Sequence, residues 1–106
     1  MIVTAWNDGK KLESGGGYGL KLSVEDRDTY FSKDWNFVEI TLPGNAVPVL
    51  VNINKESFWG STCRELIHKK IGIWLRENKL APWPKNFPPK LSLTKVTVNK
   101  FKLERI

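Results

Sequence analysis

The sequence has little of several residue types on which common classes of protein depend. It contains one cysteine, Cys63, and one histidine, His68. A lone cysteine forms no disulfide within its own chain, and one cysteine with one histidine does not make a zinc-ligand set. Uninterrupted apolar runs such as Ile73-Trp74-Leu75 are far too short for a transmembrane helix or a secretory signal. These shortages predict a protein without a metal, a cofactor or a membrane span, in the reducing cytoplasm.

Acidic residues are scarce in the second part of the chain. Residues 61–106 hold eleven Lys and Arg against three Asp and Glu, whereas residues 1–60 hold six basic and eight acidic side chains. The two parts therefore carry +8 and −2, and the whole chain carries +6 at pH 7. A segment with this charge forms a positive patch that attracts polyanions, nucleic acid first and then acidic proteins. The alternative is a basic surface that serves only solubility.

The pattern of apolar residues predicts a single α+β domain over residues 1–106. Alternation typical of strands occurs at residues 2–6, 18–22, 37–42, 47–53, 91–93, 96–98 and 101–103. A short helix is predicted over residues 24–31 and a long one over residues 62–78. Regular βαβ alternation is absent, so we expect a small, mostly antiparallel sheet that curls into a partly closed barrel against the two helices.

The long helix carries the first half of a candidate surface. Thr62 followed by Glu65 is a capping-box pattern, and Asn78 suits the helix end. Phe58-Trp59 is expected to pack where the helix begins. The apolar residues between Cys63 and Leu75 cover one half of the helix, which also makes Cys63 a packing residue. The opposite half carries His68, Lys69, Arg76 and Lys79.

The leading hypothesis is a small nucleic-acid-binding module that contacts mainly the phosphate backbone. Lysine dominates its basic residues, and lysine is a poorer bidentate reader of bases than arginine. The expected surface joins the polar half of the helix to the C-terminal strands. Its candidate residues are His68, Lys69, Arg76, Lys79, Lys95, Lys100, Lys102 and Arg105.

A protein-interaction module, of the antitoxin, immunity or phage anti-defence type, is the alternative. Four prolines in residues 82–89 exclude both a helix and a central strand there. Trp83 and Phe87 lie in this stiff segment. Trp83 either pins the segment to the domain or stands exposed with Phe87 as a partner-binding patch.

A small nuclease is the third hypothesis, although no catalytic residue is assigned. It requires His68, Tyr18 or Tyr30 to converge with basic residues in one cleft. The glycine run at residues 15–19 lacks the Gly-Lys-Ser/Thr ending of a phosphate-binding loop, and a strand follows it. The run is therefore predicted to be a flexible loop, whose tip can still approach a phosphate backbone.

Shorter predictions concern three connections. Residues 10–13 are expected to pair back as a short strand after the turn at residues 7–9. A change of inward phase between Leu93 and Val96 predicts a bulge or a bend at Thr94-Lys95. Asn99-Lys100 is a candidate two-residue turn.

Several segments resemble a family of small, uncharacterised bacterial proteins. They are Gly17-Tyr18-Gly19-Leu20-Lys21-Leu22-Ser23, Asp26-Arg27-Asp28-x-Tyr30-Phe31, Ser57-Phe58-Trp59, Leu80-Ala81-Pro82-Trp83-Pro84-Lys85 and Pro88-Pro89-Lys90. The resemblance covers most of the chain and implies no activity. The order of elements is also similar to that of the DNA-binding pseudobarrels of plant transcription factors and of some restriction-enzyme recognition domains. That likeness implies a fold and carries no shared motif.

Overall fold

The computed structural model describes residues 1–106, which form seven strands and three helices. In chain order the elements are β1 (Ile2–Asn7), β2 (Tyr18–Lys21), α1 (Val24–Tyr30), β3 (Phe37–Thr41), β4 (Val49–Asn52), α2 (Glu56–Trp59), β5 (Glu65–Ile67), α3 (Lys69–Glu77), β6 (Lys90–Thr97) and β7 (Lys100–Arg105). None of the three helices has the length and apolar content that crossing a bilayer requires.

All seven strands belong to one mixed sheet, in the order β4-β3-β7-β6-β1-β2-β5. Neighbouring strands are antiparallel except β3 and β7, which run parallel. The outermost strands, β4 and β5, approach each other, so the sheet curls into a nearly closed barrel. The predicted α+β fold with a curled, mostly antiparallel sheet is confirmed. Helix α2 is an addition that the sequence did not indicate.

Alternate side chains of each strand fill the interior of the barrel. Together with residues from the helices and loops they form one core of 22 buried hydrophobic residues. Val38 and Ile40 of β3 face inward, as their alternation predicts. The prediction was wrong for Val47, which is 69% exposed. Strand β4 begins only at Val49, because Pro48 has no N–H with which to join the ladder.

A helix lies at each end of the barrel. At one end, here called the α1 end, Phe31 follows α1 and stacks on Phe101 at the start of β7, with ring centroids 4.7 Å apart. At the other, the α3 end, Trp74 of α3 donates a 3.2 Å hydrogen bond from Nε1 to the carbonyl of Pro43, just beyond β3. Strands β3 and β7 therefore both run from the α1 end toward the α3 end.

The long helix begins later than the capping-box pattern predicts. Its N-cap is His68, and the backbone N–H of Lys70 donates a 3.0 Å hydrogen bond to the His68 Nδ1. Thr62 is exposed and lies outside any helix. The predicted end of the helix is confirmed, because Asn78 is its C-cap.

Strand β5 occupies the place where the first turn of the helix was expected. Glu65 lies in this strand, and its carboxylate accepts a hydrogen bond from the backbone N–H of Arg64. Leu66 is fully buried opposite Leu20 of β2. Pairing with β2 both satisfies the backbone and buries Leu66, so this tertiary contact overrides the local helix signal.

Three connections differ from their predictions. Residues 10–13 form part of a loop and pair with no strand. The two-residue turn between β6 and β7 is Val98-Asn99, because Lys100 already pairs with Thr97. The irregularity in β6 lies between Lys95 and Thr97, slightly later than the predicted bulge.

The position of α3 depends on a close approach of two backbone segments. Gly72 of α3 lies against Gly15 in the loop between β1 and β2. A methyl group at Gly72 would overlap the Gly15 carbonyl, and its carbon would lie 2.8 Å from the Gly15 Cα. Backbone atoms do not swing aside as the end of a flexible side chain does. Only glycine at residue 72 therefore permits this packing.

We expect Gly72→Ala to lower the free energy of unfolding by about 1–3 kcal/mol, the usual cost of overpacking, even though alanine is the better helix former. Urea denaturation followed by tryptophan fluorescence measures the change. Gly60→Ala is the matched control, because a Cβ there meets nothing closer than 3.6 Å and Gly60 has an ordinary φ of −76°. Equal stability of the two variants would contradict the close approach.

Candidate nucleic-acid interface

The loop between β1 and β2 is folded back on itself and held against α3. The backbone N–H of Asp8 donates a 2.9 Å hydrogen bond to the Gly17 carbonyl and closes the base of the loop. The Asp8 carboxylate accepts a 2.9 Å hydrogen bond from the backbone N–H of Lys10. Because Gly15 contacts α3, this loop brings the exposed Lys10 and Lys11 to the α3 end.

Basic side chains lie at both ends of helix α3 and at Arg76 within it. Lys69 and Lys70 are exposed in its first turn, and Lys79 is exposed just beyond its end. Lys69 and Arg76 are seven residues apart, about two helical turns, so they lie on the same side of the helix. Arg76 is partly buried and donates a 3.3 Å hydrogen bond to the hydroxyl of Tyr18.

These two elements together define one positive region, here called the α3-end basic surface. Its members are Lys10, Lys11, Lys69, Lys70, Arg76 and Lys79. None of them has a carboxylate oxygen within 4.0 Å, because the three ion pairs of the protein involve Lys21, Arg27 and Lys100. Fourteen of the seventeen Lys and Arg side chains are thus free of direct ion pairing. Most of the positive charge remains available to a polyanion.

His68 supports the helix and adds no charge to this surface at neutral pH. Burial, and to a smaller extent the neighbouring charge of Lys70, lower the pKa of His68 from its usual 6.5. The neutral ring leaves Nδ1 free to accept the capping hydrogen bond from the N–H of Lys70. His68 was predicted to contact nucleic acid, and in the structure it serves as the N-cap of α3.

The predicted strand residues do not all lie beside the helix. Lys95 lies with its Nζ 5.2 Å from the ring centroid of Trp35 at the α1 end. Lys100 forms an ion pair with Glu39 at 3.7 Å. Pro43, which contacts α3, lies four residues after Glu39. Four residues of extended chain span about 13 Å. Lys95 and Lys100 therefore lie away from the α3-end basic surface.

Lys102 and Arg105 lie closer to α3. Lys102 pairs in register with Thr94 and Thr41, and it lines a shallow depression of about 450 Å³ together with Pro43. Arg105 is exposed at the end of β7, opposite Leu91. The structure thus brings together the helix residues, places Lys102 and Arg105 toward the same end, and separates the other two strand lysines.

The two aromatic side chains of the proline-rich segment differ in environment. Trp83 is half-buried and packs edge-to-face on Tyr18, with ring centroids 5.8 Å apart. Phe87 is 74% exposed. Trp83 therefore pins the segment to the domain, and the two rings do not form one exposed aromatic patch.

The residues named for a nuclease do not share a cleft. Tyr18 is fully buried and its hydroxyl accepts the hydrogen bond from Arg76. Tyr30 lies on α1 at the opposite end of the barrel from His68. The two surface cavities of the protein are lined by other residues, and no three His, Cys, Asp or Glu side chains lie close enough to share a metal ion.

Sequence reasoning missed Lys10 and Lys11 as members of the basic surface. They lie in the part of the chain with a net negative charge, and only the contact of Gly15 with α3 brings them to the helix. The adjacent glycine run was the available signal, because close approach of two backbones commonly requires glycine.

Comparison with known proteins identifies no relative. No protein-family model, no curated protein and no solved structure matches the chain. The likeness to bacterial proteins and to pseudobarrels stays a prediction.

The His68 cap makes stability depend on pH in a defined direction. Because the pKa of His68 is lower in the folded protein than in the unfolded chain, the unfolded chain binds the proton more readily. We expect the free energy of unfolding to fall as the pH drops below about 6.5. Urea denaturation between about pH 7.5 and about pH 5.5 measures this loss, because most carboxylates keep their charge there.

His68→Asn is the matched variant for this test. Asparagine is a good N-cap residue that does not titrate, so the variant should keep the helix and lose this part of the pH dependence. His68→Ala should lose about 1 kcal/mol at neutral pH through the missing cap. An unchanged pH profile in His68→Asn would show that other groups cause the effect.

Proposed function

We propose that this protein binds nucleic acid, mainly through the phosphate backbone, with the α3-end basic surface. The observation that carries the proposal is the excess of basic over acidic side chains at the end of the barrel where α3 meets the glycine loop, where six Lys and Arg lie with three exposed carboxylates, Asp8, Glu13 and Glu77. Such charge favours binding by releasing counterions from the phosphates. The partly exposed Cys63 is unpaired, which fits a location in the reducing cytoplasm, where nucleic acid is accessible.

The chemistry of the surface favours phosphate over base recognition. Five of its six members are lysines, whose ammonium groups act as point charges on flexible stems. Arg76, the only guanidinium, is oriented by Tyr18 and only partly exposed. Contacts of this kind fix affinity and carry little sequence information.

Binding to mixed-sequence oligonucleotides at low salt tests the proposal. We expect measurable affinity by fluorescence anisotropy, with the logarithm of the binding constant falling linearly with the logarithm of salt concentration. Lys10→Gln/Lys69→Gln should weaken binding about tenfold and flatten the salt slope by about 1–2 units. Undetectable binding to both duplex and single-stranded oligonucleotides at low salt rejects the proposal.

A second double variant separates local contact from general charge. Lys95→Gln/Lys100→Gln removes the same charge at the α1 end and should change the affinity by less than about twofold. Circular dichroism confirms that both variants are folded. Equal weakening by the two pairs would mean that binding does not use the α3-end basic surface.

A further inference from the structure

A second cavity lies at the α1 end, away from the α3-end basic surface. It has a volume of about 370 Å³ and is lined by Lys33, Asn54, Lys55, Glu56 and Trp59. It sits where the segment after α1 meets the chain that leaves β4 and enters α2. It is a shallow, open depression that leaves one side of a ligand in solvent. The lining combines one large aromatic ring with two ammonium groups.

The ring of Trp59 is held in place before any ligand arrives. Its Nε1 donates a 2.9 Å hydrogen bond to the carbonyl of Ile53. The Phe58 ring meets it edge-on, with centroids 5.1 Å apart. The buried Arg27 guanidinium lies 5.5 Å from its centroid and is itself fixed by hydrogen bonds to the carbonyls of Phe58 and Gly60. An aromatic ring fixed in this way loses little conformational entropy on binding.

The remaining groups of the cavity suit an anion beside a flat aromatic group. The exposed Lys33 lies with its Nζ 5.7 Å from the Trp59 centroid, and its flexible stem lets it move aside for a stacked ring. Lys55 supplies a second ammonium, and Glu56 reduces the charge of the lining to +1. That charge matches one phosphodiester better than a polyphosphate. Asn54 donates one hydrogen bond to Asn36 and keeps its carbonyl oxygen for a base edge.

We propose that this cavity, the Trp59 subsite, takes one nucleotide unit of a single-stranded nucleic acid. The base stacks on Trp59, and Lys33 and Lys55 hold the adjacent phosphodiester. This inference extends the proposed function. It rests on that function for the premise that the ligand is part of a nucleic-acid polymer. It selects single strands, because the base faces in a duplex are covered by their stacked neighbours.

Nuclear magnetic resonance of the indole N–H groups tests the Trp59 subsite directly. The chain has five tryptophans, and Trp59→Phe identifies the Trp59 resonance by its disappearance. The probe is the dinucleotide ApA, which carries two bases and one phosphodiester. We expect ApA to shift the Trp59 resonance in a saturable manner and to leave that of Trp83 unchanged.

Four matched measurements define the chemistry of the subsite. Dimethyl phosphate, which lacks a base, and adenosine, which lacks a phosphate, should each bind at least about fivefold more weakly than ApA. Lys33→Gln, at an exposed side chain whose loss leaves the fold intact, should weaken ApA binding about threefold to tenfold. Lys85→Gln, a lysine outside the cavity, should leave it unchanged. Equal shifts by ApA and dimethyl phosphate, or no shift by ApA at millimolar concentration, would overturn the subsite.

The same protein distinguishes failure of the subsite from failure of the proposed function. If oligonucleotides bind at low salt while the Trp59 resonance stays fixed, the proposed function stands and the subsite is rejected. If ApA shifts Trp59 while no oligonucleotide binds, the cavity is a free-nucleotide site and the proposed polymer is wrong. Both the subsite and the proposed function are supported if the protein binds single strands more tightly than duplexes and Lys33→Gln abolishes that preference.

Discussion

The contact between the backbones of Gly15 and Gly72 is the constraint on which the α3 end of this structure depends. It seats α3 close enough for Trp74 to reach the Pro43 carbonyl and for Arg76 to reach the Tyr18 hydroxyl. Both hydrogen bonds involve side chains that lie against the core. A longer separation between helix and loop would lose them together, because close-packed interiors do not adjust smoothly to a change of spacing.

The same contact decides which charges lie near one another. A nearly closed barrel points alternate residues of each strand outward around its whole circumference, so the lysines of its strands are spread over the outer wall. On β7, the outward Lys100 meets Glu39, while Lys102 meets Thr41, two residues further along β3. A helix laid across the end of the barrel and a loop held against it gather charge more effectively than the strands do.

The position of β3 was more predictable from the sequence than the start of the long helix. Alternation in residues 37–42 identified β3 and its inward side correctly, because its inner face is buried and its outer face is not. The apolar pair Leu66-Ile67 fits the periodicity of a helix as well as that of a strand, and only the partner strand β2 decides between them. The start of the long helix was therefore placed too early, while its end at Asn78 followed from local chemistry.

In the candidate sites, too, residues of one helix were predictable from the sequence, whereas residues joined by long-range contacts were not. Lys69, Arg76 and Lys79 were recognisable from the helix alone. Lys10 joins them only through a contact between residues far apart in the chain. Trp59 was expected to pack at the start of the long helix, and instead it lies in α2 beside Lys33. No local pattern indicates that pairing, because the two residues come from separate connections that the barrel brings together.

The order of strands in the sheet also determines when this protein can fold during synthesis. Strands β7 and β6 lie between the β3–β4 hairpin and the group of β1, β2 and β5, so they alone join the two parts of the sheet. Hydrogen bonds from Asn99 to Phe37 and from Met1 to Leu93 span 62 and 92 positions of the chain. A ribosome must therefore translate β6 and β7 before the barrel can close. Until then two sets of unpaired strand edges are exposed, which makes early engagement by chaperones advantageous.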